Sequence, residues 1–366
     1  MYSNVKSFGA KGNGSTDDTE AILAAIQDAV DETGVVYFPP GKYMIRPIEV
    51  PSHITLMGYS SWSYLGERKD KDGNSLDPGY EGRTIISALE GGARALFDLD
   101  GKCGTRFQGL TIDGANVGEG MHGIYTHNIG IEQHICVEDC RIQNFTGSGI
   151  RLDKVWVFSI RRNLIMNNKE HGIDCSRGYD GWIIDNQLTG NVGAGLYAGG
   201  ESELWTGMAT VMVTANRIEW NREAGVKLTD ANTMQFTGNS IDHNFGPGIY
   251  LKDCMSGTIC GNVIRSSAID LEDEYSCQVY LEGCVGVSVT GNSLWGWFNR
   301  KEYNLTKATP YYNFTIKNNA DCIIQGNASY EGCGRENILD LGGNKNTEIS
   351  NNPASFPDVV KYGLTK

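Results

Sequence analysis

Asn216-Arg-Ile-Glu-Trp-Asn-Arg-Glu-Ala-Gly-Val-Lys-Leu228 is answered 23 residues later by Asn239-Ser-Ile-Asp-His-Asn-Phe-Gly-Pro-Gly-Ile-Tyr-Leu251. Both follow the template N-x-[IL]-x-x-N-x-x-x-G-[ILV]-x-[LAC]. So do residues 163–175 and 186–198, with 140–152 departing at both asparagine positions and 262–265 present as a fragment. The template glycines Gly149, Gly172, Gly195, Gly225 and Gly248 are spaced by 23 residues three times and by 30 once. Gly123 precedes them, and Asn292 and Asn327 extend the asparagine column. A fixed period of this length is the mark of a stacked-repeat fold. It suffices for three short strands with their turns, and no single coil buries its apolar edge alone, so neighbours must stack. The Ile, Leu and Val positions then face inward as aliphatic columns. The asparagines sit at turns, where they tolerate left-handed backbone and can bond to the next coil. The leucine-rich alternative needs an L-x-x-L-x-L-x-x-N consensus, which is absent. The repeat therefore predicts an all-β, single-stranded, right-handed parallel β-helix whose coils rise by roughly 4.8 Å each.

Working outward, the whole of 1–366 reads as one such domain: a capping segment and first strands over 1–60, regular coils over 100–330 and a C-terminal cap over 331–366. Asp17 with Glu20 three residues on reads as a helix N-cap. Ile22, Leu23, Ile26 and Val30 follow at helical spacing, predicting an amphipathic helix that covers the open end of the solenoid. Val35–Tyr43 then reads as strand and turn. The stretch from Trp295 to Asn313 departs from the template. The 47 glycines and the 20% of charged residues suit a turn-rich β protein. The ten cysteines contain no C-x-x-C pair, and several fall at inward positions, where they read as small apolar residues rather than bridges or ligands. A formal net charge of −13 argues against a nucleic-acid partner. No apolar run is long enough to span a membrane. Met1–Lys6 lacks a signal pattern, so the expected compartment is either the cytoplasm or, with a signal removed, the exterior.

Val5-Lys-Ser-Phe-Gly-Ala-Lys-Gly-Asn-Gly-Ser-Thr-Asp-Asp-Thr-Glu-Ala21 followed by Gly34-Val-Val-Tyr-Phe-Pro-Pro-Gly-Lys-Tyr43 resembles the opening segment of the pectate-lyase-like superfamily. The likeness covers residues 5–60, and the coil repeats extend it to about residue 330. It implies the β-helix and a carbohydrate substrate along the outside of one parallel sheet. It leaves the activity open among polygalacturonases, lyases, mannuronan epimerases, fructotransferases and tailspikes. A homotrimer is allowed by the resemblance alone.

The register identifies the outward side chains of one strand per coil. The first outward column is Tyr125, Arg151, Asp174, Tyr197, Lys227, Tyr250 and Tyr280. The second is His127, Asp153, Ser176, Gly199, Thr229, Lys252 and Glu282. Aromatic faces alternating with charges suit a sugar, although the same columns also read as a ladder of stacked rings and ion pairs. Asp153 and Asp174 lie on adjacent coils offset by two residues. The expected diagonal of roughly 8 Å would admit a water between a general acid and a general base, as in inverting glycoside hydrolysis. Arg151 beside Asp174 and His127 beside Asp153 offer the alternative of plain ion pairs. His171-Gly-Ile-Asp174-Cys-Ser stands where mannuronan epimerases carry Y-G-F-D-P-H. Of that motif only the Gly and the Asp match, and its Tyr and His are replaced by His171 and Ser176. Two insertions break the period. The one at 199–208 carries Glu201, Glu203 and Trp205 as a candidate cleft wall or oligomer contact. The other, at 266–275, carries Asp270, Glu272, Asp273 and Glu274. That acidic run could take calcium but lacks the spacing of a calcium loop. No ligand-spaced His/Cys set suggests zinc, and no other cofactor is implied.

The leading expectation is a glycan-acting enzyme, a glycoside hydrolase or a fructotransferase-like glycosyl-transferring enzyme. Asp153 and Asp174 would serve as acid and base, Arg151 and Lys227 would hold the substrate, and Tyr125, His127, His171, Tyr197 and Tyr250 would line its path. A polysaccharide lyase or uronate epimerase is the alternative. A non-catalytic, tailspike-like glycan-binding protein is a third.

Overall fold

The computed structural model describes residues 2–59, 70–74, 79, 81–127, 132–199, 207–269, 275–296, 298 and 307–365. They form two compact units, residues 1–174 and 175–366. Each is built of three parallel sheets wound as a right-handed β-helix, as the repeat predicts.

In the first unit, the first sheet contains Thr55–Met57, Arg106–Gln108, Glu132–Glu138 and Val155–Arg161. The second contains Thr84–Ala88, Thr111–Asp113, Arg141–Gln143 and Leu164–Met166. The third contains Ala95–Asp98, His122–His127, Ile150–Asp153 and Ile173–Asp174. Like residues stack in register: Ile86, Ile112, Ile142 and Ile165 form one inward column. All four are fully buried. Each coil thus covers the apolar edge of its neighbour, which no coil could do alone.

The helix α1 spans Thr19–Asp28 and packs against the first strands. Two details differ from expectation. Asp18, not Asp17, occupies the cap position, but its carboxylate is engaged by the backbone N–H groups of Lys11 and Gly12 at 2.6 and 3.0 Å. Asp17 instead accepts the Thr19 N–H, one residue further in. Val30 is 47% exposed, while Ile22, Ala25, Ile26 and Ala29 are buried. Each step of four residues drifts about 40° around an α-helix, so Val30, two steps from Ile22, has left the buried stripe where the helix gives way to a π-turn at Ala29–Thr33.

In the second unit, Leu196–Ala198, Val226–Thr229, Ile249–Lys252 and Cys277–Glu282 belong to one sheet. Asn186, Asn216, Asn239, Asn262, Asn292 and Asn327 form a continuous ladder. The Asn239 N–H and Nδ2 both donate to Asn262 Oδ1, at 2.9 and 3.0 Å, and Nδ2 also donates to the Val213 carbonyl at 2.8 Å. Bonding to the next coil is therefore as expected, but the left-handed backbone is not at these asparagines. It lies one residue earlier, at Asp185, Ala215, Gly238, Gly261, Gly291 and Gly326. The left-handed residue turns the corner, and that turn aims the following side chain inward at the neighbouring coil. The template glycine has a different reason. A Cβ on Gly225 would lie 2.7 Å from the Gly248 carbonyl oxygen.

All ten cysteines are free thiols, and Cys140, Cys175, Cys254, Cys277, Cys284, Cys322 and Cys333 are buried. Among the described residues no helix is long and apolar enough to cross a membrane.

Candidate functional site

Alternation along His122–His127 turns Tyr125 and His127 outward while Ile124 and Thr126 are buried. The next coil sets Arg151 beside Tyr125 and Asp153 beside His127, and the one after sets Asp174 beside Arg151. Five of the sequence-derived candidates therefore meet on one sheet of the first unit.

The contacts are specific. His127 Nδ1 lies 2.9 Å from Asp153 Oδ2. Arg151 Nη1 lies 3.5 Å from Asp174 Oδ2. The Asp174 side chain is 5% exposed and that of Arg151 36%, so the carboxylate sits beneath and the guanidinium reaches solvent. The Tyr125 ring stacks between the imidazoles of His122 and His127, with centroids 6.0 and 6.3 Å away. The Arg94 guanidinium, held by Asp98 and Asp100, lies over Tyr125 at 4.5 Å. Burial, with the Asp153 charge added, pushes the Tyr125 hydroxyl above its ordinary pKa. The His122 imidazole is driven down to about 4, by burial first and then by Arg151 and His171. Its Nδ1 accepts the Ser148 N–H at 2.9 Å, which leaves the proton of the neutral ring on Nε2. His171 follows Glu170, whose carboxylate accepts the Ser148 hydroxyl at 3.2 Å.

In the second unit Tyr197, Lys227, Tyr250 and Tyr280 stand in one register column. Lys227 and Tyr250 line a hollow of about 430 Å³ with Arg222 and Phe245. Lys227 is paired with Glu223 at 2.9 Å, and the Tyr250 and Tyr280 rings are parallel, 4.9 Å apart. Ser176 departs from its expected outward position. The strand stops at Asp174, alternation stops with it, and Ser176 is buried with its hydroxyl donating to the Gly199 carbonyl at 2.7 Å. Glu201, Glu203 and Trp205 lie outside the described residues, as do Asp270, Glu272, Asp273 and Glu274. Among the described residues no three His, Cys, Asp or Glu side chains gather in a way that could hold a metal ion.

Arg94, Asp98 and the ring-stacking role of His122 escaped the sequence reading. Asp98 stands in register with Tyr125 and so begins the same outward column. Its strand, Ala95–Asp98, lacks the G-[ILV] mark that revealed the later coils.

Comparison with known proteins agrees with this architecture. The family model for "Rhamnogalacturonase A/epimerase, pectate lyase-like" matches residues 2–250, and that for the "Right handed beta helix region" matches residues 198–307. Mannuronan C5-epimerase AlgE6 of Azotobacter vinelandii is 27% identical over 205 residues, 52% of this chain and 21% of that protein. Alginate lyase 7 of the same organism is 29% identical over 198 residues, 51% of this chain and 21% of that protein. The matched region is thus about a fifth of the length of these relatives. The solved AlgE6 A-module superposes with a TM-score of 0.71 at 19% identity, covering 98% of this chain and 100% of the module.

Proposed function

This chain belongs to the rhamnogalacturonase A/epimerase, pectate lyase-like family, and we propose that it acts on a uronate-containing glycan by removing the proton next to the sugar carboxylate. The observation that carries the reading is the His127–Asp153 pair at 2.9 Å, set beside Tyr125 and Arg151 on one face of two adjacent strands. An ionised carboxylate only accepts hydrogen bonds, so Asp153 accepts one from the Nδ1–H of His127 and leaves Nε2 to act as the base. Arg151, steadied from below by Asp174, offers its guanidinium to the uronate carboxylate. That neutralisation acidifies the C5 proton and stabilises the enolate-like charge formed when the proton leaves. Tyr125, a phenol that keeps its proton at neutral pH, can act as the acid. If it protonates the departing O4, the C4–O bond breaks and a C4=C5 double bond remains, which is elimination. If C5 is reprotonated from the other face, the result is epimerisation. The similarity to a mannuronan epimerase and an alginate lyase supports polymannuronate as the first substrate to try.

Hydrolysis or glycosyl transfer by Asp153 and Asp174 is the second reading, favoured by their placement on adjacent strands. It is weaker because one of the two must carry a proton to the leaving oxygen, whereas each faces a cationic or proton-donating partner.

The deciding experiment incubates the protein with polymannuronate and polygalacturonate in D2O. It follows deuterium at C5 by NMR, unsaturated uronate by ultraviolet absorbance, and reducing ends. Deuterium incorporation or unsaturated product, lost in His127→Ala, is the expected result. Reducing ends with neither signal would establish hydrolysis instead, and full activity in His127→Ala would remove the proposed base.

A further inference from the structure

A hollow of about 520 Å³ opens on the first sheet of the first unit, away from the strands that carry Tyr125 and His127. That volume falls in the roughly 300–1,000 Å³ range of small-ligand sites. Thr55, Arg106, Cys136 and Ser159 line it as a single outward register column across four strands. His53, His134 and Arg161 complete its polar wall, with Cys103 at its edge. Beneath it lies Glu138, whose side chain is 1% exposed and which is shared by Arg106, Arg161 and Arg162. Arg162 has a carboxylate of its own, Asp139, at 2.7 Å. Arg106 and Arg161 therefore divide one buried carboxylate between two guanidiniums, and both remain about two-fifths exposed. The hollow keeps a net positive charge, inside a chain whose formal charge is −13.

We propose that this hollow is a second, non-catalytic glycan site that binds a carboxylate-bearing sugar. The buried Glu138 holds the two guanidiniums apart and fixed, so their remaining N–H groups form a ready fork for a planar carboxylate. The Thr55 and Ser159 hydroxyls and the two imidazoles supply the donors and acceptors a sugar ring needs. A site on a separate sheet would anchor one stretch of a polymer while another is processed, by raising its effective concentration. The identity of the anion as a uronate rests on the function proposed above; the charge and shape of the hollow do not.

The thiols provide a local readout. Cys103 and Cys136 are partly exposed and line the hollow, while Cys260, also partly exposed, belongs to the second unit and serves as an internal control. The whole His127→Ala protein is treated with N-ethylmaleimide, with and without oligomannuronate, and each cysteine is followed by mass spectrometry. Oligomannuronate should slow modification of Cys103 on the order of tenfold, equivalent to a strong charge-assisted contact, and leave Cys260 unchanged. Ser159→Asp, which places a repelling carboxylate among the guanidiniums of the hollow while leaving Glu138, Arg106 and Arg161 themselves unchanged, should abolish the protection. Arg161→Gln should do the same if it folds. No protection, protection surviving Ser159→Asp, or equal protection by a neutral oligosaccharide or inorganic sulfate would each overturn the proposal. Protection of Cys103 without any C5 chemistry in the D2O experiment would sink the catalytic reading and leave this one standing.

Discussion

His122 shows how a single buried side chain ties the site to pH. Burial holds its pKa at about 4 in the folded protein, against about 6.5 for an unperturbed histidine. The unfolded chain therefore binds more protons between these values, and folding stability is complete above about pH 6.5 and falls as pH drops toward 4. The full effect is up to about 3 kcal/mol. His122→Asn, which keeps an acceptor for the Ser148 N–H, should flatten the fall in melting temperature between pH 7 and pH 4.5. An unchanged pH profile would show that other groups control it. Ala215 offers a second test at this scale. It is a non-glycine residue at φ 58°, in the corner where the next two coils place Gly238 and Gly261. A left-handed alanine costs roughly 1–2 kcal/mol, so Ala215→Gly should raise stability by about 1 kcal/mol in a denaturant titration, part of the relief being offset by the entropy of the unfolded glycine. Asn239→Ala, which removes the Nδ2 bonds to Asn262 and Val213 and the Oδ1 that accepts from Asn216, should destabilise by several kcal/mol.

At the scale of the element, α1 separates what amphipathic spacing can and cannot reveal. Ile22 and Ile26 were legible because they repeat at four residues and are both buried. Val30 continues that spacing, but it lies beyond the point where the winding widens. A hydrophobicity pattern carries no trace of that change. Val30→Lys should accordingly alter stability by no more than about 0.5 kcal/mol, whereas Ile26→Ala should cost about 2–5 kcal/mol. Thermal unfolding of the two variants checks the pair. The third-sheet strands teach the same lesson for the site. Alternation put Tyr125, His127, Arg151, Asp153 and Asp174 into two register columns because the template glycine sets the phase, but Asp153 and Asp174 are buried beneath their partners rather than open to solvent. It failed at Ser176, where the strand has already ended. The interleaved rings of His122 and Tyr125 depend on side-chain packing, which no spacing rule contains.

For the whole molecule, repetition made the fold readable. A period of 23 residues that recurs through the central coils constrains them together, so one misread turn cannot change the class. The hollow on the first sheet was invisible for the opposite reason. Its residues come from four coils whose strands carry no shared mark, and only the register brings Thr55, Arg106, Cys136 and Ser159 into line. The cysteines give a test of the packing throughout. Native protein should expose at most Cys103, Cys136 and Cys260 to rapid reaction with a thiol reagent, and the seven buried thiols should react only on unfolding. Rapid native reaction of Cys254 or Cys284 would contradict the stacking of the second unit.

The asparagine ladder also makes each coil an exchangeable cassette. Removing residues 217–239 joins Asn216 to Ser240, so that one ladder asparagine takes the place of the next and Asn262 receives the bonds its neighbour made. The outward face then loses Lys227 and brings Tyr197 against Tyr250, with the other columns shortened by one rung. A surface built this way is edited in whole steps of one strand spacing, roughly 4.8 Å. Gain or loss of a rung would lengthen or shorten this face by one side chain per column while leaving the side chains on neighbouring rungs in place.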